Sequence, residues 1–379
     1  MKFKLLAIAA TSAAASLAAS SAYAQSSVTL YGVADAGVEY LNKAAASNGG
    51  VQPGTKGQSL FALQSGNQSG SRWGLRGIED LGGGLKGIFT LESGFNVDDG
   101  KMGQSGRLFG RAAYVGLQNQ WGRLTLGRHT TPGFDFGLAF DPMTISSRYS
   151  ITSQDPWFAS RADNSAKYMG TFGGLTVSAL YSLNNNNQEV PGNFTNGREY
   201  SFSAIYASGP FSVGAVYDQT NRSQATALST NKLTRHAAIA GTYAFGQAKV
   251  FAGYRYAHAY NGDVLVGTPS HANGSSNLAW AGLGYQVTPA LSLTGAAYYQ
   301  NLRNANAGNP WQFVALADYS LSKRTDVYAS MSYALNHGKS TLGVNGFNDQ
   351  LGSATSSNSE GVQPGANQFG AVIGVRHKF

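Results

Sequence analysis

Arg72 to Ser93 reads RWGLRGIEDLGGGLKGIFTLES. Gly82, Gly84 and Gly87 satisfy G-x-G-x-x-G, the spacing of a dinucleotide-binding loop, with Lys86 inside it. A phosphate loop needs a helix after its glycines, so that the helix N-terminus faces the pyrophosphate. After Gly87 the chain runs Ile88-Phe89-Thr90-Leu91-Glu92, which alternates with period two and offers no helix cap. The stretch therefore reads as a hairpin, with glycine supplying the positive φ of a tight turn. Trp73, Leu75 and Gly77 share one face with Leu85, Phe89 and Leu91; Arg72, Arg76, Lys86 and Glu92 share the other.

The same period runs through the chain. In SSVTLYGVADAGVEY, Val28, Leu30, Ala34, Ala36, Val38 and Tyr40 oppose Thr29, Tyr31, Asp35 and Glu39. LTVSALYSL, FSVGAVYDQT, AKVFAGYRYAHAY, LSLTGAAYYQN and TDVYASMSYALN repeat it, and no helical period of useful length occurs beyond Gln25. Sixteen such segments lie near 26–42, 68–80, 84–97, 107–118, 121–129, 162–171, 175–184, 198–207, 211–221, 233–245, 248–260, 274–287, 291–301, 310–321, 325–336 and 366–379. Their connections are of two kinds. Leu81–Gly84, Asn119–Gln120, Phe172–Gly174, Ser208–Pro210 and Gly246–Gln247 are tight, whereas Lys43–Gly66, Thr130–Arg161, Asn184–Gly197, Asn221–Lys232, Asn261–Asn273 and His337–Ala366 are long and polar.

Composition agrees with a wall that is apolar outside and polar inside. Charged residues are 12% of the chain, about half the ~25% of soluble domains. Glycine contributes 49 residues, tyrosine 20 and phenylalanine 19. A disordered chain lacks such aromatics. An unpaired strand edge in hydrocarbon leaves a row of unsatisfied amides, so a spanning sheet must close. The expected fold is all-β: a transmembrane antiparallel up-and-down barrel of about sixteen strands, with short periplasmic turns and long extracellular loops. Sixteen strands leave an aqueous lumen.

The chain opens MKFKLLAIAATSAAASLAASSAYAQ, with Lys2 and Lys4 before an apolar run and Ala22-Tyr23-Ala24 as a cleavage site. Residues 1–24 read as an export signal and 25–379 as one barrel. The absence of cysteine excludes disulfides, thiolate metal sites and a cysteine nucleophile. The formal charge is +8, but the arginines stand singly, so a basic lining that attracts anions is expected rather than nucleic-acid binding.

Several stretches resemble the general diffusion porins of Gram-negative bacteria, in the branch common among betaproteobacteria: SSVTLYGVADAG, SRWGLRGIEDLGGGLKGIFTLE, GRAAYVGLQNQWGRLTLGR, RADNSAKY and the terminal GVRHKF. The resemblance spans the whole mature chain. It implies a homotrimer in the outer membrane, among its lipid and lipopolysaccharide, whose third long loop, about 130–161, folds into the lumen. It also implies an arginine cluster on the wall at Arg72, Arg111 and Arg161, a wall acid at Glu92 and a pore-facing Arg128; Arg76 shares the face of Arg72. Asp135, Asp141 and Asp155 are the loop's acids, with Asp141 the first choice to face the cluster, and Arg148 adds a positive charge there. Phe379 closes the strand that this family presents to the barrel-assembly machinery.

The expected function is passive diffusion of ions and small hydrophilic solutes, with weak anion preference. A substrate-specific channel for a sugar or organic acid is the alternative, since the tyrosines could form an aromatic ladder; interfacial girdles require such residues too. An adhesin is a third reading. Catalysis is not expected: the six histidines include no H-x-x-x-H, so no helical zinc site is supported. No cofactor or metal is called for.

Overall fold

The computed structural model describes residues 27–44, 57–223, 231–265, 273–303, 308–344, 362–363 and 365–379. The expected export signal, 1–24, lies outside the described residues, as do parts of four expected long loops. The strands are β1 Ser27–Ala44, β2 Gln58–Ser65, β3 Arg72–Gly82, β4 Leu85–Gly94, β5 Ala112–Asn119, β6 Gly122–Thr130, β7 Arg161–Phe172, β8 Leu175–Ser182 and β9 Glu199–Ser208. They continue as β10 Phe211–Asn221, β11 Leu233–Phe245, β12 Ala248–Tyr260, β13 Ser275–Gln286, β14 Leu291–Arg303, β15 Trp311–Ser320, β16 Thr325–Leu335 and β17 Gln368–Lys378. Consecutive strands pair antiparallel except β2 and β3, which both pair with β1, and β1 pairs with β17, so the sheet closes. At the seam Gly32 and Phe379 exchange backbone bonds, N–H to carbonyl, at 3.0 and 3.1 Å.

Seventeen segments form sixteen staves because β2 and β3 share one. Val33 back to Ser27 of β1 pairs with Arg72–Ile78, and Ala36–Leu41 with Ser65–Leu60. Two expectations are corrected here. The second strand, expected at 68–80, begins at Gln58, inside the stretch expected to be loop, and is broken at 66–71. The connection 95–111, where strand alternation was carried to 97 and resumed at 107, is a long loop in which Asn96 and Lys101 turn back on each other.

The break in the second stave has a chemical cause. Its inward kink wraps the Asp35 carboxylate, which accepts the backbone N–H groups of Asn67 (3.3 Å), Gln68 (3.0 Å) and Ser69 (2.7 Å) and the Tyr328 hydroxyl (2.6 Å). An acid in the strand thus replaces the ladder bonds that the kinked backbone gives up.

The polarity is inverted relative to a soluble protein. Phe61 is 72% exposed, Ile373 70% and Val115 62%, all on the outward face, while Asp35, Glu39 and Arg255 are buried. The glycine turn at 82–84 has φ of 83°, 61° and 79°, as a tight hairpin requires.

Asp35→Ala strands three backbone donors in the wall, which costs about 3 kcal/mol or more. The variant should convert from its compact to its unfolded gel band at a lower temperature than the parent. An unchanged conversion temperature would show that the kink does not depend on this carboxylate.

Candidate functional site

The connection 131–160 folds into the lumen and supplies the apolar core. It begins with helix α1, Pro132–Phe140, whose N-cap Thr131 accepts the Phe134 N–H at 3.2 Å, with Pro132 in the first turn. Phe136, Phe140, Met143, Ile151 and Phe158 are buried against Trp280, Tyr298 and the inner faces of β10–β15. Small residues on that wall make room for it: a Cβ at Gly282 would collide with Pro142, and one at Gly214 would meet Phe140 at 2.6 Å.

Polar clamps fix the loop at both sides of the barrel. Trp280 Nε1 donates to the Phe140 carbonyl at 3.0 Å, and the Tyr298 hydroxyl donates to Asp141 at 2.5 Å. Arg255 pairs with Asp155 at 2.7 Å, with His236 3.5 Å from the same carboxylate and stacked on Trp157. Across the lumen, Glu39 of β1 binds Arg148 and the Tyr149 hydroxyl, each at 2.7 Å, and the Arg148 backbone N–H donates to the Asn67 carbonyl in the broken stave.

Between the loop and the opposite wall, β3–β7, lies an open space lined by charge. Arg72, Arg111, Arg123, Arg161 and Lys167 face Glu92 and Asp135, five cations against two carboxylates. Glu92 takes Arg111 at 2.7 Å, Arg72 at 3.7 Å and the Tyr31 hydroxyl at 3.0 Å. Asp135 takes Lys167 at 2.6 Å. Arg161 donates from Nε to the Arg111 carbonyl at 3.1 Å and lies 5.3 Å over the Phe134 ring. Among the described residues neither Arg161 nor Arg123 has an ion-pair partner.

The structure brings together Arg72, Arg111, Arg161, Glu92 and Asp135 and separates the other named residues. Asp141, expected opposite the arginines, turns away to Tyr298 and the Ile145 N–H. Asp155 is held on the far wall by Arg255, and Arg148 is spent on Glu39. Arg128 pairs with Asp163 at 2.5 Å, which also binds Arg107, and donates from Nε to the Gly110 carbonyl at 2.8 Å. Arg76 is exposed on the strand beyond this space, 5.5 Å over Tyr31. In each case the nearest opposite charge or hydroxyl lay on a strand remote in sequence. Lys167 and Arg123 also line this space, and the sequence did not single them out; a register shift between Ala162 and Ser165 breaks the alternation that would link Lys167 to Arg161.

The profile of one family, the Gram-negative porins, matches residues 9–339. The chain belongs to the Gram-negative porin family. An outer membrane porin protein of Bordetella pertussis is 33% identical over 360 residues, spanning 84% of this chain and 91% of that one. Outer membrane porin protein 32 of Delftia acidovorans is 30% identical over the full length of both. An anion-selective porin from Comamonas acidovorans superposes with a TM-score of 0.77 at 27% identity, covering 94% of this chain and 100% of the other. This porin is an outer-membrane channel.

The two clamped loop acids titrate in opposite directions. Burial raises Asp141 to about 6, against the opposing hydrogen bonds of Tyr298 and Ile145. Burial also pushes Asp155 upward, but Arg255 and His236 outweigh it and hold the carboxyl at about 2. Protonated Asp141 binds its proton more tightly in the folded loop, so its contribution is full below about pH 4 and fades as pH rises through about 6. The Asp155 contribution is present above about pH 4 and is lost as pH falls through about 2. The unfolding temperature of Asp141→Asn should lose the decline between about pH 4 and 6 and keep the acid-side loss. A variant with the parent's decline would place the titration elsewhere.

Proposed function

We propose that this porin passes ions and small hydrophilic solutes by passive diffusion, with a weak preference for anions. The observation that carries this reading is the surplus of cations on one wall of the narrowed lumen, where, among the described residues, Arg161 and Arg123 have no carboxylate partner. Arginine keeps its charge when crowded because its guanidinium is delocalised and weakly hydrated. Rings of fixed charge bias which ions pass, and short separations keep screening incomplete when the Debye length is about 8 Å. Solutes with a dipole orient between the cationic wall and the loop, while apolar solutes must displace bound water.

In this reading residues 1–24 are removed on export and residues 25–379 form the barrel. Three copies assemble side by side among outer-membrane lipid and lipopolysaccharide. The terminal strand, ending at Phe379, is the part read by the barrel-assembly machinery. The chain acts as a channel rather than a catalyst. The anion preference has the same direction as that of the Comamonas acidovorans porin to which the chain is similar.

Planar bilayers containing the purified protein should show ohmic conductance steps in groups of three; a silent bilayer would overturn the channel reading. Replacing Arg72, Arg111 and Arg161 by Gln should lower the anion-to-cation permeability ratio several-fold. A ratio unchanged in the triple variant would remove these arginines from the permeation path.

A further inference from the structure

A methionine in the pore wall lies between two hydrogen-bond donors that the fold leaves poorly served. Cross-strand pairing puts Arg123 of β6, Met169 of β7 and Ser178 of β8 in one row. The row faces the lumen: Arg123 lines the open space, and Lys167, two residues before Met169, reaches the Thr130 carbonyl and the loop's Asp135. It lies near the tight β7–β8 turn at 173–174, the periplasmic end in such barrels.

The Met169 thioether accepts an N–H of the Arg123 guanidinium at 3.3 Å, and among the described residues this is the one hydrogen bond that the guanidinium makes. A guanidinium carries five donors, and a thioether is a weak acceptor. On the other side Ser178 is 4% exposed, and its hydroxyl has no partner among the described residues. A buried hydroxyl without a partner is costly. Both neighbours of the sulfur can therefore donate to an oxygen that the unmodified side chain does not offer.

The other described methionines lack this setting. Met143 is 1% exposed inside the loop core, whereas Met102 in the connection 95–111 and Met331 on the outward face are 47% and 53% exposed. Among the described residues none of the three accepts a hydrogen bond at sulfur.

We propose that Met169 is an oxidation site for small peroxides that enter the pore, and that its sulfoxide shifts the pore's ion preference toward cations. A sulfur lone pair attacks one oxygen of hydrogen peroxide. The S–O bond forms as the O–O bond breaks, and the proton of the attacked oxygen passes to the departing hydroxide, which leaves as water. Sulfur gives up two electrons and the peroxide takes them. The methionine side chain turns about three bonds, so the new oxygen reaches the Arg123 guanidinium and the Ser178 hydroxyl and accepts from both. The sulfoxide is polar, and the negative end of its dipole offsets part of the Arg123 charge. This product is the rung of the oxidation ladder that methionine sulfoxide reductases reverse. The direction of the shift rests on the cationic wall invoked for anion preference; the chemical step does not.

The test treats the folded parent protein, Met169→Leu and Arg123→Gln with hydrogen peroxide. Peptide mass spectrometry reads the added oxygen, and planar bilayers read the permeability ratio before and after. The Met169 peptide of the parent should gain one oxygen while the Met143 peptide does not. The parent's anion-to-cation ratio should then fall at least about twofold, the low end for one hydrogen bond. Met169→Leu and Arg123→Gln should each keep the ratio they had before treatment. A Met169 peptide that stays unmodified while Met102 is converted would overturn the site. A ratio unchanged in the fully oxidised parent, or an equal fall in either variant, would overturn the effect on ion preference. An untreated parent that prefers cations would contradict the anion reading alone, because the added oxygen and the change in ratio are scored against that same untreated protein.

Discussion

A backbone amide has no partner in hydrocarbon, and this constraint governs the rest of the molecule. It forces β1 and β17 to meet and fixes one face of every strand toward lipid. The other face must then look into a cylinder too wide for side chains alone to fill. The chain folds its own third loop into it. The largest apolar cluster of this protein therefore lies inside a polar lumen, around Phe136, Phe140, Phe158 and Trp280, and not between sheets.

The position of that loop and the sign of the open space have a common origin. The loop leans on β10–β15, where Gly214 and Gly282 leave room and where Arg255 and Tyr298 take its acids. Its acids are consumed in holding it, with Asp135 alone remaining at the open wall, against Lys167. The wall left uncovered is β3–β7, and it carries the arginines. Neutralised carboxylates on one side and unneutralised guanidiniums on the other arise from the same clamps.

Much of this was legible because alternation is a local property. The hairpin at 72–93, the short turns and the inward face shared by Arg72 and Glu92 need only the two-residue period. The stave broken at 66–71 was not legible, since its cause is Asp35, more than thirty residues away in sequence and adjacent only after β1 pairs with β2 and β3. The same limit separates the loop acids. Asp141, before Pro142, is the acid the sequence favours to face the arginines, yet the fold places Tyr298 beside it and Lys167 beside Asp135. Arg148 looked like a free charge because Glu39, its partner, lies on the first strand. Family likeness named Arg72, Arg111, Arg161 and Arg128 together; it could not say that Arg128 would pair with Asp163.

The central claim is that the loop spends its acids on its own anchorage and so leaves the passage positive. The most direct measurement is the zero-current potential of the unmodified protein across a bilayer in a KCl gradient. The account predicts a potential of the sign set by chloride, reduced as total salt is raised at constant ratio. A potential of the sign set by potassium would contradict it.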